Sequence, residues 1–306
     1  MESWGKNFKR NLILILGVAI FCGIGIGIWQ FLSFNDGKLH LVFCDVGQGD
    51  AIYLKSPSGY EVLIDGGPDD RVLSCLSAHR PFYDKEIDVV VSTHPEADHL
   101  TGLVDVIKRY KINHLFVENI INPSAVFGKF RQAVADEKGL KIYNPKAGDR
   151  LKLGEVEVNF YWPKEAVGEK RIWRKDLISV SPQVLGASDA GGEFNNYSLV
   201  FNIKYHGFLA LQTGDAENQI LTEAGVSSGS TVLKVPHHGS RKALTKEIVD
   251  FLKPQLAIIS VGKGNHYGHP APETLKILED SGIKTLRTDK DGAIEIISDG
   301  QGWKLK

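Results

Sequence analysis

From Leu12 to Phe34 the chain carries no charge and reads LILILGVAIFCGIGIGIWQFLSF. A bilayer core needs about 20 apolar helical residues, so this run is long enough to span one. Lys6, Lys9 and Arg10 precede it, and the segment after it is less basic, with Asp36 ahead of Lys38. By the positive-inside rule, residues 1–11 stay in the cytoplasm and everything beyond residue 35 is placed outside. No small-x-small cleavage site follows the run, and Phe21 before Cys22 does not suit a lipoprotein cleavage site. Residues 12–34 are therefore expected to form an uncleaved signal anchor rather than a removed signal peptide.

Beyond residue 38 the hydrophobic period changes. Short β-branched runs, KLHLVFCDV, DAIYLKS and YEVLID, are separated by Gly, Pro and Ser turn signals. IDVVVSTH is solidly apolar, which predicts a strand buried on both faces. A helical pattern at Leu103, Val106, Ile107 and Tyr110 follows, then strand HLFVE and a second helix around Ala125–Glu137. Strands VEVNFYW, YSLVFNIKY and GFLALQTG come next, and after them TVLKVP, KEIVDFL, QLAIISV, PETLKILEDSG, KTLRTD and AIEIISD alternate strand with helix. Two similar halves of this kind predict a pair of sheets flanked by helices within one domain, residues 38–306. The segment 164–193 is irregular, basic at its start (KEAVGEKRIWRK) and small at its end (GASDAGGEF). It reads as an exposed insertion, or as a substrate-contacting flap in which Arg171, Trp173, Arg174 and Lys175 offer charge and a stacking face.

The net charge of −1 over 306 residues excludes a generally basic nucleic-acid coat, so any polyanion must be held locally, by a patch or a metal ion. Three cysteines, Cys22, Cys44 and Cys75, are too few for a disulfide framework and lack zinc-ligand spacing. Buried free thiols are expected at Cys44 and Cys75, with a bridge between them as the alternative.

The candidate chemistry gathers at strand ends. VVVSTHPEADHLTG delivers His94, Glu96, Asp98 and His99 into one loop and the helix start behind it. Imidazole and carboxylate suit first-row metal ions, and an oxygen-rich set shifts preference from zinc towards manganese or magnesium. The plain alternative is a solvated helix entrance. Three further segments change the balance: LALQTGDAE ends a strand at Asp215, TVLKVPHHGS ends one at His237 and His238, and SVGKGNHYGHP carries His266 and His269. Asp215 alone would pass for a helix cap, but strand ends on one side of a sheet can converge on a single site.

HPEADHLTG resembles the HxHxDH motif of the metallo-β-lactamase superfamily, in the variant with a carboxylate at the second position. FCDVGQGDAIYL, VLIDGG, NNYSLVF, LALQTGDAE, LKVPHHGS and NHYGHP together resemble the hydrolase-like domain of ComEC-type DNA-uptake proteins over residues 38–297. The resemblance implies an αββα sandwich, here preceded by a single transmembrane helix, with two divalent metal ions at one edge. It puts His94 and Glu96 on the first ion and Asp98 and His99 on the second, with Asp215 bridging and His237 completing the second site. His238 would then turn towards substrate, and His269 would touch a phosphate. Asn195 or Asn196 would stand where the superfamily has a third first-site histidine. Asp65 would be a structural carboxylate. Asp45 and Gln48 would shape the pocket or a turn, and His266 would lie near the substrate.

These expectations amount to an extracytoplasmic metal-dependent phosphodiesterase. Metal-bound hydroxide would attack phosphorus while Asp98 and Asp215 fix the ions and His238 or His269 assists the leaving group. The ligand set leans towards manganese, with zinc and magnesium as alternatives. DNA is the implied substrate. With a single apolar segment the chain is expected to act beside a DNA-uptake channel rather than form one. A non-nucleic cell-envelope phosphodiester is an alternative substrate, and a non-catalytic nucleic-acid or metal-binding module is an alternative role.

Overall fold

The chain leaves a long helix, α1 (Glu2–Phe34), and enters β1 (Leu39–Phe43), β2 (Ile52–Lys55) and β3 (Glu61–Ile64). Then come α2 (Arg71–His79), β4 (Glu86–Ser92), α3 (Ala97–Arg109), β5 (Lys111–Val117), α4 (Ala125–Asp136) and β6 (Lys141–Tyr143). The second half holds β7 (Arg150–Leu153), β8 (Val156–Trp162), β9 (Val200–Tyr205), β10 (Phe208–Gln212), α5 (Asn218–Ala224) and β11 (Val232–Lys234). It ends with α6 (Lys246–Leu252), β12 (Leu256–Ile259), α7 (Pro272–Asp280), β13 (Lys284–Arg287), α8 (Thr288–Asp291), β14 (Ile294–Ser298) and β15 (Trp303–Leu305). The computed structural model describes residues 2–164 and 194–306, so nearly all of the irregular 164–193 segment, with Arg171, Trp173, Arg174 and Lys175, lies outside the described residues.

Alternation along the strands builds the layers. In β4, Val89 and Val91 face the other sheet while Val90 faces helices, and all three are buried. An eight-stranded sheet, in order β15-β14-β1-β2-β3-β4-β5-β6, packs against a seven-stranded one, β13-β12-β11-β10-β9-β8-β7. Leu41, Ile64, Val91, Phe160, Ala210 and Ile258 belong to the core between them. Leu76, Leu103 and Phe130 of α2, α3 and α4 cover the outer face of the first sheet, and Leu221, Val249 and Leu278 of α5, α6 and α7 cover the second. Each such side chain contributes about 1.5–3 kcal/mol on burial. The result is the expected αββα sandwich. Among its elements α2, β6, β7, α8 and β15 were not anticipated; α8 and the strands among them have three or four residues and α2 buries only Val72 and Leu76, too little pattern to read.

α1 continues towards the N-terminus beyond the expected 12–34, and its Lys9–Phe34 portion is long and apolar enough to cross a membrane, with mean hydropathy 2.6. At 1.5 Å per residue those 26 residues reach about 39 Å, against a hydrocarbon core of about 30 Å.

The cysteine expectation is corrected. Cys44, just past β1, and Cys75, on α2, form a disulfide with their Cα atoms 5.8 Å apart. Helix α2 lies over the end of β1, and that proximity is tertiary, so the spacing in sequence does not reveal it. Cys22 is a free, exposed thiol on α1.

Between α1 and the sandwich, His40 bridges two carboxylates, Nδ1 lying 2.7 Å from Glu295 and Nε2 2.9 Å from Asp36. Burial alone would push His40 down, but its hydrogen bonds to Glu295 and Asp36 overcome this and hold it above its ordinary value of 6.5. Burial likewise works against ionised Glu295, yet His40 and Lys306 bring it from 4.5 to about 2. A raised histidine stabilises the fold below its unfolded pKa and loses that contribution as pH rises through the folded value. A depressed carboxylate stabilises above its unfolded pKa and loses its contribution as pH falls towards the folded one. Between the ordinary values of 4.5 and 6.5 both contributions are present. Thermal unfolding of His40→Gln should therefore show its largest deficit against the parent at about pH 5.5 and a smaller one at about pH 9. A deficit independent of pH would remove this ion cluster from the stability of the fold.

Candidate metal centre

The site lies at one edge of the sandwich, where β3 and β4 of one sheet and β10 and β11 of the other end. Asp65 follows β3 and is fully buried in the left-handed region, at φ 56°. One of its oxygens accepts from the Thr93 amide at 2.7 Å. The other accepts from Thr93 Oγ1 at 2.7 Å and lies 2.8 Å from His99 Nδ1. The carboxylate thereby draws the His99 proton to Nδ1 and leaves Nε2 facing the site. A carboxylate behind an imidazole is the usual device for orienting a metal-ligating histidine.

Helix α3 is brought against this corner by two glycines. A Cβ on Gly102 would collide with the Gly66 carbonyl, and one on Gly66 with the Leu103 amide. Their close approach allows Gly66 N to bond His99 O at 2.7 Å and Gly102 N to bond Gly67 O at 3.0 Å. Asp98 and His99, in the first turn of α3, are set in place by this packing.

The second sheet supplies the rest. Asp215 follows β10 and is 1% exposed, its amide held by Ser198 Oγ at 3.1 Å. It does not cap α5, whose N-cap position is Glu217. After β11 comes a single 3₁₀ turn, Pro236–Gly239, in which His237 and His238 both have positive φ, 46° and 51°. Such conformations cost non-glycine residues about 1–3 kcal/mol each and collect at functional sites. The strain turns the two rings apart. His238 is buried, its Nδ1 donates to Ser260 O at 2.9 Å, and its Nε2 lies 3.3 Å from Asp98 and 3.5 Å from Asp215. His237 is 26% exposed, bonds Glu217 at 3.0 Å, and comes only within 4.0 Å of Asp215.

Ligand atoms of Asp98, His99, Asp215 and His238 all lie within 4.8 Å of one another. His238 thus occupies the place expected for His237. His94 stands beside this group, its ring 4.1 Å from that of His99 and its Nε2 3.7 Å from Glu96. His94 Nε2 and His99 Nε2 are buried and make no hydrogen bond among the described residues, though His99 Nε2 lies 3.4 Å from Asp215. Both aim a lone pair or proton into a carboxylate-lined space, the arrangement a divalent cation fits.

The electrostatics agree. Burial disfavours the charged form of every group here, yet His99 and Asp215 are driven strongly towards ionisation by each other and by their neighbours. His238 is raised and Asp98 lowered in the same manner. A cation seated among these carboxylates competes with the imidazole protons.

Two members were not read from the sequence. Asp50, 1% exposed, lies behind the cluster, and Lys234, fully buried, makes an ion pair with it. The Lys234 ammonium also donates to Gly214 O at 2.7 Å and lies 3.5 Å from Asp215. Alternation on β11 puts Lys234 on the inward side with Val232. A lysine at an inward strand position was the available signal.

The remaining candidates spread outward. His269 is half-buried at the rim, 5.4 Å from the His237 ring and 6.4 Å from that of His238, and its Nδ1 has no partner among the described residues. Asn195 is buried with its Oδ1 unpartnered among the described residues, whereas Asn196 is exposed. Gln48 accepts from Gly262 N at 3.1 Å and so ties two site loops. Asp45 is exposed and accepts from Gly47 N at 3.3 Å, a turn role outside the cluster. His266 is exposed and is not brought to the cluster.

A family model described as "Metallo-beta-lactamase superfamily" matches residues 44–263. The chain is 28% identical to ComE operon protein 3 of Bacillus subtilis over 95% of its own length and 36% of that protein. It is 32% identical to competence protein ComA of Neisseria gonorrhoeae over 33% of this chain and 15% of that one. The chain thus spans about a third or less of the length of these curated relatives. Among solved structures, the metallo-beta-lactamase fold protein YhfI of Bacillus subtilis superposes with a TM-score of 0.52 at 10% identity, covering 82% of this chain and 96% of that one. Zinc-bound PqqB of Methylobacterium extorquens gives 0.50 at 10% identity, covering 81% and 97%. These two show the fold.

Removing one member of a buried ion pair strands the other. Lys234→Met should lower unfolding stability by about 3–5 kcal/mol in urea titrations of the full chain in detergent. Adding Asp50→Asn should recover part of the loss, because the two side chains are coupled. Strictly additive losses would show that the pair is not an interaction unit.

Proposed function

Because the chain belongs to the metallo-beta-lactamase superfamily, a group of metal-dependent hydrolases, we propose that it is a membrane-anchored extracytoplasmic phosphodiesterase that cuts DNA. The observation that carries the reading is the buried cluster of Asp98, His99, Asp215 and His238, beside which the Nε2 of His94 has no hydrogen-bond partner among the described residues. Competence proteins among the relatives support DNA as substrate, and work beside an uptake channel as the setting. The Cys44–Cys75 disulfide supports an oxidising compartment for the domain, in accord with basic residues before α1.

Asp98, His99, Asp215 and His238 would hold one divalent ion, and His94 and Glu96 a second that shares Asp215. Two such ions supply hydroxide at neutral pH and charge compensation for a phosphodiester. The donor set, mixed imidazole and carboxylate with Glu96 in place of a histidine, favours manganese over zinc or magnesium. The chain's own residues do the rest. Asp65 and the Ser260 carbonyl keep His99 and His238 turned with Nε2 inward. Lys234 holds Asp215 and Asp50 in place from behind. His237 and His269, on the open side, are placed to donate hydrogen bonds to the phosphate or its leaving oxygen. His237 therefore takes the substrate-facing role and His238 the ligand role.

The purified full chain should carry a divalent metal and, with Mn²⁺, hydrolyse both DNA and bis-p-nitrophenyl phosphate. Asp215→Ala and His99→Ala should abolish both metal content and hydrolysis. Asp65→Ala should weaken metal binding by about 10–100-fold through loss of the orienting carboxylate. Activity that survives Asp215→Ala would overturn the two-metal reading. Cleavage of the small diester with DNA untouched would assign a non-nucleic envelope substrate, and metal without turnover would assign a binding module.

A further inference from the structure

The sandwich has two opposite ends, and only one holds the metal centre. α1 leads into the start of β1. β2 runs antiparallel to β1 and β3 antiparallel to β2, so β2 ends and β3 begins at that same edge. β4 is parallel to β3 and begins there too. The loops of this edge carry exposed aromatic side chains: Tyr60 (41% exposed) between β2 and β3, and Phe82 (62%) and Tyr83 (44%) ahead of β4.

The Phe82–Tyr83 turn is a built feature. Arg80, 2% exposed, is anchored by Glu61 and the Glu86 carbonyl and lies 4.7 Å over the Tyr110 ring. Asp84 N bonds Pro81 O at 3.1 Å and Glu86 N bonds Asp84 Oδ1 at 3.1 Å, closing the turn. The two aromatic rings meet edge to face at 5.5 Å and point away from the protein. The turn also touches the membrane helix, since the Phe82 amide donates to Gln30 Oε1 at 3.1 Å. Gln30 lies four residues before the end of α1, about 6 Å along the helix. Exposed Trp29, Phe31 and Leu32 surround it.

We propose that this aromatic edge, Tyr60, Phe82 and Tyr83, rests in the interfacial layer of the bilayer that α1 spans. The inference deepens, and rests on, the membrane-anchor reading. Large exposed aromatic rings are costly in water but favoured at the headgroup level, where Tyr keeps its hydroxyl wet. Lys111 is paired with Glu86 at 2.8 Å and Arg80 with Asp84 at 3.3 Å, whereas Lys85, in the same turn, is exposed and adds attraction to lipid headgroups beside the rings. Ring insertion beside the helix makes a second point of attachment and fixes the orientation of the domain. β4, seven residues long, then spans about 20 Å at about 3.3 Å per residue, and the metal centre at its far end faces away from the membrane.

The test uses the full chain with Cys22→Ser, which leaves an introduced cysteine as its one free thiol. Spin labels at Phe82→Cys, Tyr83→Cys and Tyr60→Cys are compared in phosphatidylcholine nanodiscs with Tyr267→Cys, exposed at the metal-centre end, and Ile20→Cys within α1. The ratio of collisions with oxygen to collisions with a water-soluble nickel chelate should be several-fold higher at positions 82 and 83 than at 267, approaching that at 20. Position 60 should be intermediate. A lipid-like ratio at 20 with a water-like ratio at 82 and 83 overturns this inference and leaves the anchor standing. A water-like ratio at 20 overturns both. Labels at 82 and 83 shielded from both reagents would assign the edge to protein contact and overturn lipid contact.

Discussion

Asp50, Asp65 and Asp215 are each no more than 1% exposed, and all three stand at one edge of the sandwich. Buried carboxylates are tolerated only where cations or donors meet them, and among the described residues Lys234 is the one buried ammonium in reach. Much of the local structure follows from satisfying them. Asp65 collects Thr93 and His99, which fixes the end of β4 to the start of α3. Lys234 collects Asp50, Asp215 and the Gly214 carbonyl, which ties the β1–β2 loop of one sheet to β10 and β11 of the other. Of the five non-glycine residues with positive φ among the described residues, Asp65, His237 and His238 stand at this edge, where the surrounding bonds hold them. An edge that gathers excess negative charge and then turns bare imidazole nitrogens into it is arranged for cations.

What the sequence made legible follows from how local each signal is. His94, Glu96, Asp98 and His99 fall within one loop and helix start, and Asp215 and the His pair each end an apolar strand, so all were visible as candidates. The sandwich itself was legible because strands buried on both faces, such as Val89–Val91, imply layers on either side. The choice between His237 and His238 was not legible. It depends on two consecutive left-handed residues, which reverse the direction each ring takes after β11. Lys234 hid for a related reason: a lysine in a strand passes for a solvent-facing position until the register is known. The Cys44–Cys75 contact is set by where α2 lies over β1, a tertiary fact with no local trace.

The donors around the site are unequal in depth, and this bears on the glutamate that replaces a histidine. His99, Asp215 and His238 are sealed from solvent, with Asp98 closing the cluster at 30% side-chain exposure. Beside them His94 is buried, but its neighbour Glu96 is 31% exposed and its oxygen stays 3.7 Å from the imidazole. Asn195, buried in the short turn before β9, carries an amide oxygen with no partner among the described residues. Three desolvated donors hold a cation by fixed geometry, whereas a carboxylate that is 31% exposed keeps water close. Oxygen donors also suit harder cations that retain water. The substitution at Glu96 is therefore consistent with an intact, asymmetric centre, closed around His99, Asp215 and His238 and open where Asp98 and Glu96, 30% and 31% exposed, meet solvent. The phosphodiester of the proposed activity would reach the centre through that open side, and the rim histidines His237 and His269 flank the same edge.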